Sequence, residues 1–491
     1  MAPPAASFQE VSLMSAARSR ALWGCLAVVA SLVVASAAGA PATPPADPGK
    51  VIILSTSDVI GKTSPCGCST PRGGFARRAA YIDSMRAESA RVLVVDNGGF
   101  FPLSTDTMYR RTAAFMMDAM QSIGTHAVGL SEKELVWGAG FLRGELRRSH
   151  LPVVCANLIE KATKKPLVEP YRIIKLGNAR VGVFGLMGDK VELGRSQDSL
   201  KVEEPSAAAR RTIAELRKKG ATVVVLLSQL GKVESEDLVA AIPGVDAVIV
   251  GHGAPMIQKG RMIKNTVACY GGEQGQYIGR TVLTLDQAGK VTTGDNDVFM
   301  LGPQVGENPE MLKRVKAFEN DFNERQRQAD KERAAAAELQ RGQNADHFLG
   351  AELCIRCHQD EGEQWKTTSH SVAWQTLIDV KKDATPDCIP CHVVGFQQAG
   401  GYQNQTDVPR LVHVQCENCH GMGTKYEAYA TQREVTQETC IGCHHGENDP
   451  AFSWEKKLPM IAHSNRSGET LKNKKNKPAG TGVMGAHGSS N

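Results

Sequence analysis

Short apolar runs alternate with amphipathic stretches through residues 51–300. The runs at 51–54, 92–95, 153–155, 181–184, 223–227 and 247–250 are rich in Val, Ile and Leu, and they predict strands. The stretches 74–89, 112–123 and 205–219 space their apolar residues by three and four, and they predict helices. Strand and helix alternating at this interval predict a layered α/β domain. The pattern changes at about residue 301. Leu312, Val315, Phe318 and Phe322 recur at spacings of three and four inside a highly charged segment. A connecting helix is predicted within 301–344, amphipathic in its first half and solvated in its second. Residues 345–465 show no sustained period and predict short helices and loops. Residues 41–50 are a Pro-rich linker, and 466–491 are polar, Gly-rich and basic, the composition of a disordered tail.

The first 40 residues have the pattern of a secretory signal. Arg18 and Arg20 precede the apolar stretch 21–34, and small residues follow. The stretch is short for a membrane span, so a cleaved signal is favoured over an anchor. The expected location is a bacterial periplasm or the cell surface. No second apolar stretch is long enough to span a bilayer. The net charge of +5 is small for 491 residues and does not suggest a nucleic-acid partner.

Four copies of C-x-x-C-H change the picture: Cys354–Cys357–His358, Cys388–Cys391–His392, Cys416–Cys419–His420 and Cys440–Cys443–His444. With 13 Cys and 13 His, chance would supply about 0.01 copies. Two zinc sites built from paired C-x-x-C would leave the following His without a purpose. The spacing is that of covalent haem c attachment: two thiols bind the vinyl groups and the His reaches the iron. Four haem c are expected, with His358, His392, His420 and His444 as proximal ligands. A segment of about 120 residues around four haems has too few residues for an ordinary core, so the porphyrins are expected to supply most of the apolar interior. The other histidines of this region are His347, His370, His413, His445, His463 and, in the tail, His487.

Residues 345–465 resemble the tetrahaem cytochrome c family of nitrifying bacteria and related multihaem cytochromes. The resemblance lies in Leu349-Gly350-Ala351-Glu352-Leu353-Cys354, in Trp365 with Ser369-His370, in the stretch 388–396 with Gly400-Gly401-Tyr402, in 414–421 and in Leu458 to His463. It implies His370 and His463 as distal ligands. His413, just before the third motif, is taken as a third. That leaves one iron with an open position, and the resemblance makes it the one at His392. After the third motif the chain departs from the family, with Tyr426 where relatives often have His.

Residues 50–290 resemble the metal-dependent 5′-nucleotidase and metallophosphoesterase superfamily. The carriers are Ser57-Asp58, Gly73-Gly74, Asp96-Asn97-Gly98-Gly99, Gly129-Leu130-Ser131-Glu132, Ala156-Asn157, Ser228-Gln229 and Gly251-His252-Gly253-Ala254. The implied fold is a four-layer α/β sandwich. The implied chemistry needs seven ligand positions around two metal ions. Asp58 and His252 are retained, but Ile60, Gly99, Leu130, Gln229 and Ala254 stand at the other five, and Ser131 replaces the catalytic His. Two ligands do not hold a dinuclear site, so a non-hydrolytic scaffold is expected.

Directly after the first strand comes Cys66-Gly67-Cys68, with Arg72, Arg77 and Arg78 following. Two readings stand side by side: a redox pair serving the haems or a sulfur compound, and a structural loop. Cys155 and Cys269 fall on or near predicted strands and read as core. The resulting expectation is an exported tetrahaem cytochrome that moves electrons between redox partner proteins in a respiratory chain. Two alternatives remain: a redox enzyme using Cys66 and Cys68 on a sulfur- or nitrogen-type molecule, and a metal-dependent phosphoesterase.

Overall fold

The computed structural model describes residues 49–65, 70–340, 346–398, 400–403, 409–425, 435–446 and 448–463. The predicted signal, nearly all of the linker, Cys66, Cys68, Tyr426, His487 and the tail lie outside them.

Thirteen strands are described: β1 Lys50–Thr56, β2 Val92–Asp96, β3 Ala127–Val128, β4 Leu158–Glu160, β5 Tyr171–Leu176, β6 Ala179–Met187 and β7 Leu200–Val202, then β8 Val223–Gln229, β9 Ala247–Val250, β10 Ile257–Ile263, β11 Thr266–Tyr270, β12 Tyr277–Leu285 and β13 Val291–Met300. Eleven of them form one sheet, in the order β3-β2-β1-β12-β13-β10-β11-β9-β8-β6-β5. The helices of this part are α1 Phe75–Glu88, α2 Arg110–Ser122, α3 Ala139–Ser149, α4 Pro205–Lys218 and α5 Lys232–Ala241.

Side-chain alternation shows how the sheet is layered. In β1, Val51 and Ile53 enter one core cluster and Leu54 another. In β8, Val223, Val225 and Leu227 join the cluster of Val51 and Ile53, while Val224 and Leu226 pack with α4 and α5 residues such as Ala208, Leu216 and Leu238. The two halves of the sheet therefore share an inner core, and each carries helices on its outer face. This is the four-layer α/β sandwich.

The run 153–155 is not a strand. It makes only isolated bridges, Val128 to Val153 and Val154 to Glu169. The sequence pattern does not predict strands β10 to β13. β10 is largely exposed, and β13 buries only Asn296 and Val298 of its ten residues, so both lack an apolar period.

Helix α6, Pro309–Gln340, joins this domain to the cytochrome-like segment. Its first half stacks Phe318 on Phe115 at 4.3 Å and packs Phe322 against Tyr109. Its second half is less solvated than expected, because Asn323, Gln326 and Asp330 are buried. Asn323 donates to the Lys381 carbonyl and accepts from Thr385, and Arg327 makes a two-point ion pair with Asp383. These polar contacts continue the packed stripe that the apolar pattern leaves at Phe322.

The cytochrome-like segment has short helices, including Gln359–Lys366, Ala373–Asp379 and Trp454–Ile461. It also has a small side-chain core of Phe348, Trp374, Leu377, Ile389, Val393, Val394, Tyr402 and Leu411. Ile389 of the second motif is packed into this core.

Candidate functional site

The four C-x-x-C-H motifs fall into two spatial pairs. Cys354 lies beside Cys416, which brings the first motif to the third. Cys443 lies beside Cys391, which brings the fourth to the second. The proximity of the two thiols holds Cys391 down to about 7 and pushes Cys443 up. A cleft is lined by Cys354, His358, His370, Cys416, His420 and His463, among others. Its walls are thus drawn from the first and third motifs and from two of the three distal candidates, His370 and His463.

Two imidazole pairs cross this region. The rings of His370 and His444 have centres 6.1 Å apart, and those of His420 and His463 are 5.8 Å apart. An imidazole nitrogen binds a metal at about 2.0 Å, and its ring centre lies about 1.1 Å behind, so two rings sharing one metal sit about 6 Å apart. Both pairs fit a shared iron. Burial, and then the neighbouring His444, hold His370 below the ordinary imidazole value, which favours the neutral, ligating form.

Hydrogen bonds at Nδ1 decide which histidines have Nε2 free. His392 donates from Nδ1 to the Ala373 carbonyl at 2.6 Å. His444 donates from Nδ1 to Asp449 Oδ2 at 2.9 Å. In both, the proton on Nδ1 leaves the Nε2 lone pair for a metal. His413 is the reverse. Its Nδ1 accepts the Trp374 amide at 3.1 Å, so the neutral ring carries its proton on Nε2. For His413 to serve as a distal ligand, that Nε2 proton would have to leave. His445 is exposed, and His347 is half-buried with its backbone amide on Thr424.

At the carboxyl ends of β1, β2, β8 and β9 the N-terminal domain gathers its own polar cluster. Asp58 is buried at φ 47°. Its Oδ1 accepts from Lys133 Nζ at 2.9 Å, and its Oδ2 accepts from Ser57 Oγ and from the His252 amide, each at 2.8 Å. The backbone of His252 reaches Asp58; the ring Nδ1 instead lies 3.6 Å from Glu132 Oε1. The Lys133 ammonium thus supplies the countercharge to the buried Asp58 carboxylate. Burial works to lower the Lys133 value, but Asp58, Glu132 and Glu134 outweigh it and raise it. Gly99 closes the cluster: a Cβ there would meet Asp58 Oδ1 at 2.3 Å. Among the described residues no group of three or more His, Cys, Asp or Glu is arranged to hold a metal ion. Glu134 is buried and accepts from the amides of Gly99, Phe100, Phe101 and Ser131, fixing the loop that carries Lys133. Sequence reasoning misses Lys133 because 131–134 is patterned as a helix cap. The signal is indirect: a buried Asp58 stripped of its partner ligands needs a cation from elsewhere.

Cys155 and Cys269 are fully buried, and burial pushes Cys155 up to about 11, as an inert core thiol requires. The Cys66–Cys68 loop is outside the described residues, but its flank is not. Pro65 packs on Gly74, and its carbonyl accepts from Lys382 Nζ at 3.4 Å. Lys62 and Tyr109 both meet Asp387, the residue before Cys388.

Comparison with known proteins agrees with this division. Residues 353–421 match the family described as cytochrome c554 and c-prime. The chain is 38% identical over 94 residues to cytochrome c-554 of Nitrosomonas europaea, covering 16% of this chain and 40% of that protein. It is 27% identical over 214 residues to the 2′,3′-cyclic-nucleotide 2′-phosphodiesterase/3′-nucleotidase of Yersinia enterocolitica, covering 37% of this chain and 32% of that protein. The chain therefore spans less than half the length of either relative. The structure of a 5′-nucleotidase precursor from Thermus thermophilus shares the fold, with TM-score 0.51 and 23% identity over 55% of this chain and 59% of that one. The fold and the motifs define a c-type cytochrome segment joined to a nucleotidase-like domain. Specifically, the C-terminal part is similar to cytochrome c-554, which supports covalently held haem c and an electron-transfer role.

Proposed function

We propose that this chain is an exported tetrahaem c-type cytochrome that passes electrons between partner proteins in a respiratory chain. The observation that carries this reading is the pair of histidine couples, His370 with His444 and His420 with His463, each at the separation one shared iron needs. The four Cys pairs would hold the porphyrins. His358, His392, His420 and His444 would be the proximal ligands, with His463 and His370 opposite the last two. Haem c, when bound, supplies a one-electron iron couple. The chain's own residues set ring orientation and tautomer: Ala373 fixes His392, and Asp449 fixes His444. With the His413 proton placed on Nε2, no histidine is assigned opposite His358 or His392, and the position opposite His392 is read as open to a small molecule. The N-terminal domain is read as a scaffold without hydrolytic activity, because Lys133 supplies the countercharge to Asp58.

Two assays test this reading. Purified full-length protein should carry haem on all four motif peptides, read by mass; an unmodified motif refutes the tetrahaem count. The same preparation should release no phosphate from nucleotides with added divalent metals, and hydrolysis that chelator abolishes refutes the scaffold reading.

A second reading is favoured by the Pro65–Lys382 contact, which sets the flank of the Cys66–Cys68 loop beside the second motif. In this reading the thiol pair exchanges electrons with the haems on behalf of a sulfur-type substrate. Coulometry separates the two: about four electrons per chain for haems alone, against about six when a dithiol contributes two, falling to about four in Cys66→Ser.

A further inference from the structure

The described motif histidines do not share one kind of Nδ1 partner. His392 meets a neutral backbone carbonyl, that of Ala373. His444 meets a carboxylate, Asp449 Oδ2, at 2.9 Å. The His444 ring is also stacked on Phe452, with centres 5.0 Å apart and planes 19° apart. His358 lies 3.9 Å from Glu361 Oε2, beyond hydrogen-bond reach. His444 is thus held on three sides: by Asp449 at Nδ1, by Phe452 on its face and by His370 across the iron position.

A carboxylate draws the Nδ1 proton more strongly than a carbonyl does. The ring gains anionic character, and Nε2 becomes a stronger donor. A stronger donor stabilises the ferric ion more than the ferrous ion, because the ferric ion carries one more positive charge. The centre becomes harder to reduce. Asp449 is five residues beyond His444, on the loop leading to helix Trp454–Ile461. It stands outside every motif that the sequence displays.

We propose that Asp449 is a positioning residue that fixes the tautomer of His444 and lowers the reduction potential of the iron shared by His444 and His370. The proposal rests on the haem reading above. Its effect is moderated by partial exposure, since the Asp449 side chain is 25% exposed. Electron transfer through the chain then acquires a direction, running from the His444 centre toward the His392 centre, whose proximal ring meets a neutral acceptor.

The test is a potentiometric titration of the full-length holoprotein, followed by visible absorption and EPR. His370→Ala removes the opposite ring and marks which component belongs to His444, by turning it from low-spin to high-spin. In Asp449→Asn that component should become about tenfold easier to reduce, about 59 mV for one electron, while the others hold. Asp449→Glu, which keeps a carboxylate, should stay closer to the parent than Asn does. Asp449→Ala is measured in parallel, so that a variant failing to mature does not decide the matter. An unmoved component in any matured variant lacking the carboxylate overturns the proposal, as does a downward shift. Absence of haem on the fourth motif of the parent overturns the haem reading instead, and peptide mass distinguishes the two failures.

Discussion

Lys133 and Asp58 form the contact on which the N-terminal site turns. Asp58 is 1% exposed and its partner 18%. Replacing one member of such a pair leaves a charge buried without compensation, at a cost of about 3 kcal/mol. Lys133→Met should therefore lower the unfolding free energy by about that amount, read by urea denaturation. The pH dependence has a definite sign. The folded Lys133 value lies above lysine's ordinary 10.5. The pair's contribution is then complete below pH 10.5 and is lost as pH rises through the folded value. A parent and a Lys133→Met protein should converge in stability at strongly alkaline pH and differ near neutrality. A constant difference across that range would contradict the pair. At this scale the sequence is legible for attachment chemistry and poorly legible for compensation. Cys354 to His444 announce themselves by spacing. Lys133 and Asp449 act across space on residues that the sequence already singles out, and no local pattern marks them.

Helix α6 is where element and segment meet. Its apolar positions are readable, and Val315, Phe318 and Phe322 lie against the α/β domain as their spacing requires. Its polar contacts to Lys381, Asp383 and Thr385 are not readable, because Asn and Arg look the same in water and in an interface. Phe322 is 7% exposed. Phe322→Ala should cost about 3 kcal/mol, seen as a lower midpoint in thermal or chemical unfolding. Arg327→Ala should cost less, about 1 kcal/mol, since the pair with Asp383 keeps access to water. It should also speed proteolytic cleavage within 346–398 relative to the α/β domain. Equal protection in the variant and the parent would mean that the ion pair does not secure the segment. Strands β10 and β13 show the other limit of reading elements: where few positions are buried, no apolar period is written.

In the whole molecule, two modules with unrelated chemistry share one packed boundary. The layered α/β fold is legible because its central strands are apolar on both faces and its helices amphipathic. The pairing of motifs, first with third and second with fourth, is not legible. It depends on chain crossings that bring His370, beside the first motif, to His444 of the fourth. This interlock has a mechanical consequence. Removing residues beyond 450, which carry His463, should disturb the His420 centre while leaving thiol attachment at the first two motifs intact. Peptide mass and the low-spin EPR signal would report the two effects separately, and an unchanged low-spin signal would refute the His420–His463 couple.

A lysine is a cation that cannot diffuse away. A site built around bound metal ions follows the supply of those ions in its surroundings, and it falls silent when a scavenger removes them. With Lys133 seated against Asp58, the countercharge is encoded in the chain and arrives with folding. The buried charge of Asp58 is thereby balanced whatever the metal supply, in a chain whose C-terminal part is similar to a cytochrome.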